Sequence, residues 1–160
     1  MASTVKSSTL KVTVTERIVL NGRDHGSVNE LSIGSINEVS KRITTVTTSK
    51  HELITFSGTM GRGNYVLADM RYLRFTNLDD TNHLFLIFKN EDNDEFVVKL
   101  DKGQSFIYNG DLAGGNNDTM EALTAGTAIV ASVSNVGYLL SVSAQADTAS
   151  CDLEIFVASA

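Results

Sequence analysis

The sequence predicts an all-β protein: a single-domain β-sandwich, jelly-roll-like, with about eight to ten antiparallel strands. Apolar and polar residues alternate with a period of two in many short runs, which is the pattern of half-buried strands. Thr, Ser and Val are abundant and proline is absent, a composition typical of sheet proteins. No segment reads as the long helix that a parallel crossover needs, which excludes a parallel α/β fold.

The centre of the chain carries the clearest strand pattern. Its predicted strands are Tyr72 to Thr76, Leu84 to Lys89, Phe96 to Leu100, and Ser105 to Tyr108. The segment Leu84 to Phe88 is apolar on both faces, so we expect it in the middle of the fold. Leu86 and Phe88 should therefore lie in the main core.

The first part of the chain predicts a long strand and its return. Apolar residues occupy alternate positions from Thr9 to Leu20, which predicts one strand with a single apolar face. Asn21-Gly22 then favours a tight hairpin turn, although the polar residues that follow are equally compatible with a wider loop. Asn29 to Ile36 can return as a short strand. Ile36 to Ser49 is predicted to be extended, with a bulge, at the periphery of the sheet.

The remaining segments are shorter. The pattern predicts further strands at Leu53 to Ser57, Thr127 to Val133, Tyr138 to Ala144, and Asp152 to Val157. Gly58 to Gly63 is predicted to be a flexible loop; its glycine spacing is not the nucleotide fingerprint and no helix follows it. Thr119 to Leu123 can form one helical turn with Asp118 or Thr119 as its N-cap.

Length and charge restrict the function. A chain of 160 residues suits one domain, with residues 1–8 as a flexible N-terminal segment and residues 9–160 as the sandwich. The net charge of −6 opposes general binding to nucleic acid or to an anionic membrane. The sequence has no apolar run long enough for a transmembrane helix and no signal-peptide core, so we expect synthesis and folding in a cytoplasm.

The residues that could bind metal or act in catalysis also have structural explanations. The clusters Asn77 to Asn82 and Asn90 to Glu95 carry the oxygen ligands that calcium takes, but neither matches the EF-hand loop. Both lie where hairpin turns are expected, and turns favour Asn and Asp because these residues adopt positive φ and bond their own backbone. Structural turns are therefore the favoured interpretation, and a weak surface calcium site is the alternative. His25, His51 and His83 lie apart and lack zinc-ligand spacing. Cys151, with no neighbouring base, is expected to be a structural thiol. We therefore expect no catalytic, cofactor-binding or metal residues, and no cofactor.

Aromatic residues could also indicate a sugar site. The sequence has no tryptophan, and its four tyrosines suit sheet packing better than stacking on sugars. These are Tyr65, Tyr72, Tyr108 and Tyr138.

A resemblance to a known group rests on the central stretch. An arginine-led strand ends in Thr-Asn-x-Asp (Arg71 to Asp79), a hydrophobic strand follows (Leu84 to Phe88), and a Lys-Leu-x-x-Gly-x-Ser-Phe turn leads onward (Lys99 to Phe106). This pattern resembles small virion structural proteins of tailed phages, especially marine cyanobacterial phages. The opening MAST…LKVTVTE and the closing CDLEIFVASA are also similar to that group.

The resemblance implies a non-enzymatic virion protein, above all a capsid decoration (cement) protein that binds the capsid lattice in many copies. A tail or neck component is one alternative, and a carbohydrate-binding host-attachment module is another. The implied partners are the major capsid protein or tail proteins, and the implied location is the virion, after synthesis in the host bacterial cytoplasm. The regular strands without proline leave edges that neighbouring copies could cover, so we also expect a homo-oligomer.

Overall fold

Thirteen strands and their connecting turns make up the computed structural model, which describes residues 4–123, 125–129 and 136–160. The strands of the first half are β1 (Ser8–Glu16), β2 (Val19–Leu20), β3 (Arg23–Asp24), β4 (Ser27–Ile36), β5 (Glu38–Val46), β6 (His51–Ser57) and β7 (Asn64–Val66). The strands of the second half are β8 (Met70–Asn77), β9 (Leu84–Asn90), β10 (Glu95–Leu100), β11 (Ser105–Asn109), β12 (Leu139–Ala146) and β13 (Cys151–Ser159).

Two sheets form a sandwich. One has five strands in the order β10-β9-β12-β6-β7, and the other has four in the order β11-β8-β13-β5. The strands β1 to β4 belong to neither sheet: β1 pairs with β4, and β2 with β3. They form a hairpin arm that leaves the sandwich at the start of β5. Within the described residues no helix forms, so the all-β prediction is confirmed, whereas the jelly-roll arrangement stays a prediction.

The core lies between the two sheets and follows the period-two pattern. From the four-stranded sheet, Leu73 and Phe75 of β8 and Ile155 of β13 point inward and are buried. From the five-stranded sheet, Leu86 and Phe88 of β9 meet them with no exposed surface. Alternate residues of a strand face opposite sides, so each sheet contributes one apolar face to this layer. The predicted core positions of Leu86 and Phe88 are confirmed.

The N-terminal part differs from its prediction in two ways. The predicted single strand Thr9 to Leu20 is two strands, because the chain leaves the ladder at Arg17 and Ile18. Gly26 lies opposite this break, where an added Cβ would come within 2.3 Å of the Glu16 carbonyl oxygen. The return strand β4 has ten residues and is longer than the predicted Asn29 to Ile36.

The segment Ile36 to Ser49 is peripheral as predicted, but the predicted bulge is wrong. Its strand, β5, lies at the edge of the four-stranded sheet and pairs with β13 without a register shift from Glu38 to Val46. The irregular spacing of its apolar residues has another cause. Val39 and Ile43 point outward and are exposed, whereas Val46 points into the core.

Two strands and one pairing were not predicted. The residues of β3, Arg23–Asp24, were expected in the turn or loop after Asn21-Gly22, yet they pair with β2. The loop Gly58 to Gly63 is followed by β7, which pairs with β6 in parallel, so the sheets are not wholly antiparallel. The Asn64 side chain fixes the loop by donating to Ser57 Oγ at 2.7 Å and accepting from Thr55 Oγ1 at 3.1 Å.

The predicted helical turn Thr119 to Leu123 is wrong, because these residues have no helical structure. The backbone N–H groups of Thr119 and Met120 both donate to the Gly137 carbonyl, at 2.8 and 3.0 Å. Of the predicted strand Thr127 to Val133, residues 127–129 are not in a strand, and residues 130–133 lie outside the described residues.

Candidate interaction surface

The hairpin arm is anchored at its base on the outer face of the four-stranded sheet. Ile33 and Ile36 of β4 are buried there against Tyr72 of β8 and Ala158 of β13. Leu10, Val12 and Phe156 pack around this second apolar cluster. In the β1–β4 ladder Leu10 lies opposite Ile33, so one face of the arm base is apolar and covered. An isolated two-stranded sheet is marginal in water, and this cluster holds the arm on the sandwich.

The distal part of the arm keeps its apolar side chains in solvent. Val14 and Leu31 continue the apolar face beyond the anchor, and they remain 43% and 37% exposed. Val28, which lies on the opposite face, and the tip residues are more exposed than Val14 and Leu31. The tip residues are Ile18, Val19 and Leu20, between 54% and 71% exposed. An apolar surface of this kind, on the order of several hundred Å², is typical of an interaction site.

A tight turn fixes the tip. Asn21 and Gly22 both have positive φ, 51° and 75°, between the paired residues Leu20 and Arg23. Positive φ at both central positions is the geometry of the type I′ turn that Asn-Gly favours. The narrower of the two predicted turns is therefore the one that forms. It presents Val19 and Leu20 at the far end of the arm.

An ion-pair network crosses the outer face of the four-stranded sheet beside the arm. Glu154 of β13 accepts hydrogen bonds from Arg74 of β8 at 2.6 Å and from Lys41 of β5 at 3.1 Å. The Arg74 guanidinium also lies 5.9 Å from the centroid of the Phe156 ring. The hydrogen bonds from Arg74 and then Lys41 lower the pKa of Glu154 below its ordinary value. This network ties three strands together and places cations next to the arm.

The cluster Asn77 to Asn82 forms a turn. Asn77 is fully buried, and its side-chain amide donates to the carbonyl groups of Asn82 at 3.0 Å and Leu100 at 3.2 Å. The Asp79 carboxylate accepts the backbone N–H groups of Thr81 and Asn82 at 2.8 and 2.6 Å. The Asn82 and Thr81 hydrogen bonds lower the pKa of Asp79. These oxygens are occupied by the chain's own backbone.

The cluster Asn90 to Glu95 forms the β9–β10 turn. The buried Asn90 accepts the Asp94 N–H on its side-chain oxygen at 2.8 Å, and Asn93 takes the positive φ of 69°. Both roles are those for which turns select asparagine. The acidic side chains Glu91, Asp92 and Asp94 are exposed around them.

The histidines and the cysteine occupy separate places. His25 follows β3 in the arm, His51 begins β6, and His83 precedes β9 with its ring 5.4 Å from that of Phe85. Among the described residues no three His, Cys, Asp or Glu side chains are grouped so as to hold a metal ion. Cys151 is buried in the core, and desolvation raises the pKa of its thiol. It has the environment of a structural thiol.

An acidic cleft of about 660 Å³ lies at the opposite end of β9 from His83. Glu91, Asp92, Asp118 and Glu121 line it, together with the half-buried Tyr138.

The other tyrosines pack in the protein, as the sequence predicts. Tyr65 and Tyr72 are buried, and Tyr108 stacks on Phe88 with centroids 5.9 Å apart.

No family model matches this chain, and neither a curated protein nor a solved structure is significantly similar to it. Within the described residues no helix has the length and apolar character required to cross a bilayer.

Sequence reasoning missed the arm as a separate feature. The alternation from Leu10 to Leu20 predicts an apolar face equally well for a docked and for a projecting strand. A usable signal was the number of apolar side chains near Asn21-Gly22. Ile18, Val19 and Leu20 come directly before a turn that favours a tight tip, where a short ribbon has no room to bury them.

Proposed function

We propose that this chain is a non-enzymatic structural protein of a tailed-phage virion, a capsid decoration protein that binds the capsid lattice in many copies. The observation that carries the proposal is the hairpin arm: a two-stranded ribbon anchored on a sandwich, with its distal apolar side chains exposed. The nine residues of β1 alone span about 30 Å at the usual rise per residue. Most of β1 lies along the outer face of the four-stranded sheet, and the exposed apolar side chains toward the tip are the part of the arm that is free to contact an adjoining surface.

The resemblance of Arg71 to Phe106 to small phage structural proteins supports the same function. Those residues form β8, β9, β10 and the start of β11, which build the core and both sheets. In this proposal the sandwich is the exposed body, and the arm supplies attachment. A tail or neck component would use the same arrangement at a lower copy number.

A second candidate function has one observation in its favour. The acidic cleft places the half-buried Tyr138 among carboxylates, and an aromatic ring beside polar groups is a common arrangement for binding small ligands such as sugars. A carbohydrate-binding host-attachment module would use this cleft and leave the arm free.

The number of copies of this chain per particle distinguishes a capsid location from a tail or neck location. Quantitative mass spectrometry of purified virions should find this chain at hundreds of copies per particle, as a capsid lattice requires. A few to a few dozen copies would indicate a tail or neck component instead. Absence from purified virions would overturn the proposal.

Binding by variants tests the arm. Particles assembled without this protein should bind the purified wild-type chain, and Val19→Asp/Leu20→Asp should weaken that binding at least tenfold, because it places two charges on the apolar tip. Leu112→Asp is the matched control, since Leu112 is also an exposed leucine, 62% exposed, but lies outside the arm. Equal binding by the tip variant would show that the arm is not the attachment element.

Binding of a polysaccharide on a glycan array, lost in Tyr138→Ala, would favour the attachment module.

A further inference from the structure

A groove of about 490 Å³ runs between the arm and the outer face of the four-stranded sheet. One wall consists of six consecutive residues of β1, from Leu10 to Thr15. Successive side chains of a strand point to opposite faces, so a wall that includes residues of both faces is the edge of the strand itself. We call this feature the β1 groove.

The β1 groove offers an unpaired strand edge above an apolar floor. Among the described strands β1 pairs with β4 alone, so its other edge keeps N–H and C=O groups without ladder partners. The floor beneath that edge includes Tyr72, Phe156 and Ile107, the last 36% exposed. An edge with an apolar floor is the arrangement that accepts an added strand through backbone hydrogen bonds and alternate side chains.

Charge narrows the choice of strand. The charged side chains that line the groove are Lys11 and Arg74, and no carboxylate lines it. Glu30 pairs with Lys11 at 3.1 Å and Glu154 with Arg74 at 2.6 Å. The attraction that these two cations still exert on an acidic partner is therefore weak. This attraction favours a strand that has acidic residues next to it. The cations would orient such a strand, and apolar contacts with the floor would hold it.

β10 of this same chain has the required properties. It is the edge strand of the five-stranded sheet and pairs with β9 alone among the described strands. Its length of six residues, Glu95–Leu100, equals that of the groove wall. Its outward face presents Val97, 59% exposed, between Glu95 and Lys99. The turn before it carries the exposed acidic residues Glu91, Asp92 and Asp94.

We propose that β10 of a second copy adds to the free edge of β1 in the β1 groove. Phe96 and Val98 of β10 already pack toward the core of their own sandwich, so the face with Val97 is the one that meets the floor at Ile107 and Phe156. The partner sandwich then lies on the far side of the arm, away from this floor. The arm and the five-stranded sheet of the second copy become one continuous sheet.

This contact is heterologous, because it joins two different surfaces of the chain. Each copy keeps a free groove at one end and a free β10 at the other, so copies add head to tail into a ring or an open row. The interface requires only this chain and goes beyond the proposed virion function. A chain that assembles yet binds no particle would overturn the virion proposal and leave this one standing.

Two variants test the interface. Val97→Asp places a charge on the donor strand, and Ile107→Asp places one on the groove floor. Sedimentation velocity of the wild type over a concentration series should show self-association. Each variant alone should associate at least about a hundredfold more weakly, since each buries an unpaired charge. Leu112→Asp is the control, because Leu112 is 62% exposed and lies outside the arm, the groove and β10.

Mixing the two variants gives the decisive result. The Val97→Asp chain keeps an intact groove and the Ile107→Asp chain keeps an intact β10, so an equimolar mixture should form a one-to-one dimer and stop there. Circular dichroism and thermal melting of each variant show whether it has folded. A wild type that stays monomeric at high concentration, or a mixture that forms no dimer while both variants are folded, would overturn the proposal. If hydrogen exchange of the β1 amides slows only when the chain is bound to a particle, and not when the chain is concentrated alone, the groove binds another protein and the proposal is wrong.

Discussion

Phe75 and Phe88 meet edge to face across the sandwich, with ring centroids 6.0 Å apart and planes at 85°. Phe75 comes from β8 and Phe88 from β9, so this contact joins the two sheets. Phe88 also stacks on Phe96 at 4.8 Å and contacts Phe106 at 5.1 Å. One ring therefore connects four strands, and the aromatic cluster around it packs the core on the side of the sandwich where the edge strands β10 and β11 lie.

Phe88→Ala should lower the free energy of unfolding by about 3–5 kcal/mol, because it removes a fully buried ring and leaves a cavity. Phe96→Ala is the matched control: Phe96 stacks on the same ring but is 39% exposed, so its loss should cost clearly less. Denaturant titration of both variants measures the difference. Equal losses would mean that the cluster is not centred on Phe88.

Ile33→Ala should release the arm and leave the sandwich folded. Ile33 is 2% exposed and packs with Tyr72 in the second apolar cluster, apart from the main core. Amide hydrogen exchange should accelerate across β1 and β4 and stay slow in β12 and β13, since local units open with their own free energies. Leu31→Ala, on the same strand face but beyond the anchor, should change exchange little. Faster exchange throughout β12 and β13 would show that arm and sandwich unfold together.

Glu154→Gln should destabilise the protein at neutral pH by about 1–2 kcal/mol, because it weakens charged hydrogen bonds that are partly open to solvent. The pKa of Glu154 is lowered in the fold, so its contribution is complete above the ordinary pKa of 4.5 and is lost as pH falls through the folded pKa. The stability difference between wild type and variant should thus shrink in acid. A difference that is unchanged down to about pH 2 would contradict this role for the charge.

Asn77→Ala should lower the free energy of unfolding by about 2–3 kcal/mol, since it removes the two hydrogen bonds that a fully buried amide donates to the carbonyl groups of Asn82 and Leu100. Asn109→Ala provides the comparison, because Asn109 is an exposed asparagine at the end of β11. Thermal melting and denaturant titration measure both variants. Calcium should not restore the stability of Asn77→Ala. Restoration by calcium would mean that this turn is a cation site.

The sequence predicted the sandwich because most of its strands are amphipathic, and this pattern can be recognised within each strand segment alone. β8, β9, β10, β11 and β13 lie within a few residues of their predicted bounds, since period-two alternation directly reports one covered face. The parallel β6–β7 pairing was not predictable in this way, because it depends on the side chain of Asn64 and on a neighbour that no local pattern specifies.

The candidate surface was harder to predict than the core. Leu10 and Val14 occupy equivalent positions in the same alternation, yet Leu10 packs on the sheet and Val14 is 43% exposed. Leu10 lies opposite the buried Ile33, whereas Val14 lies opposite Asn29, beyond the anchoring cluster. Ser35, near the end of β4, has a positive φ of 62°, which serine rarely adopts and which alternation does not reveal.

The short link between β4 and β5 has a mechanical consequence. Asn37 is the one residue between these strands, and its N–H donates to the Ser159 carbonyl at 3.0 Å. Tension on the arm tip passes through this link into β5. The ladder of β5 with β13 extends over nine residue pairs from Glu38 to Val46, so its hydrogen bonds share a load along the strand. A body held by its arm would resist being pulled away through this ladder, and the arm would give way first at the small cluster around Ile33.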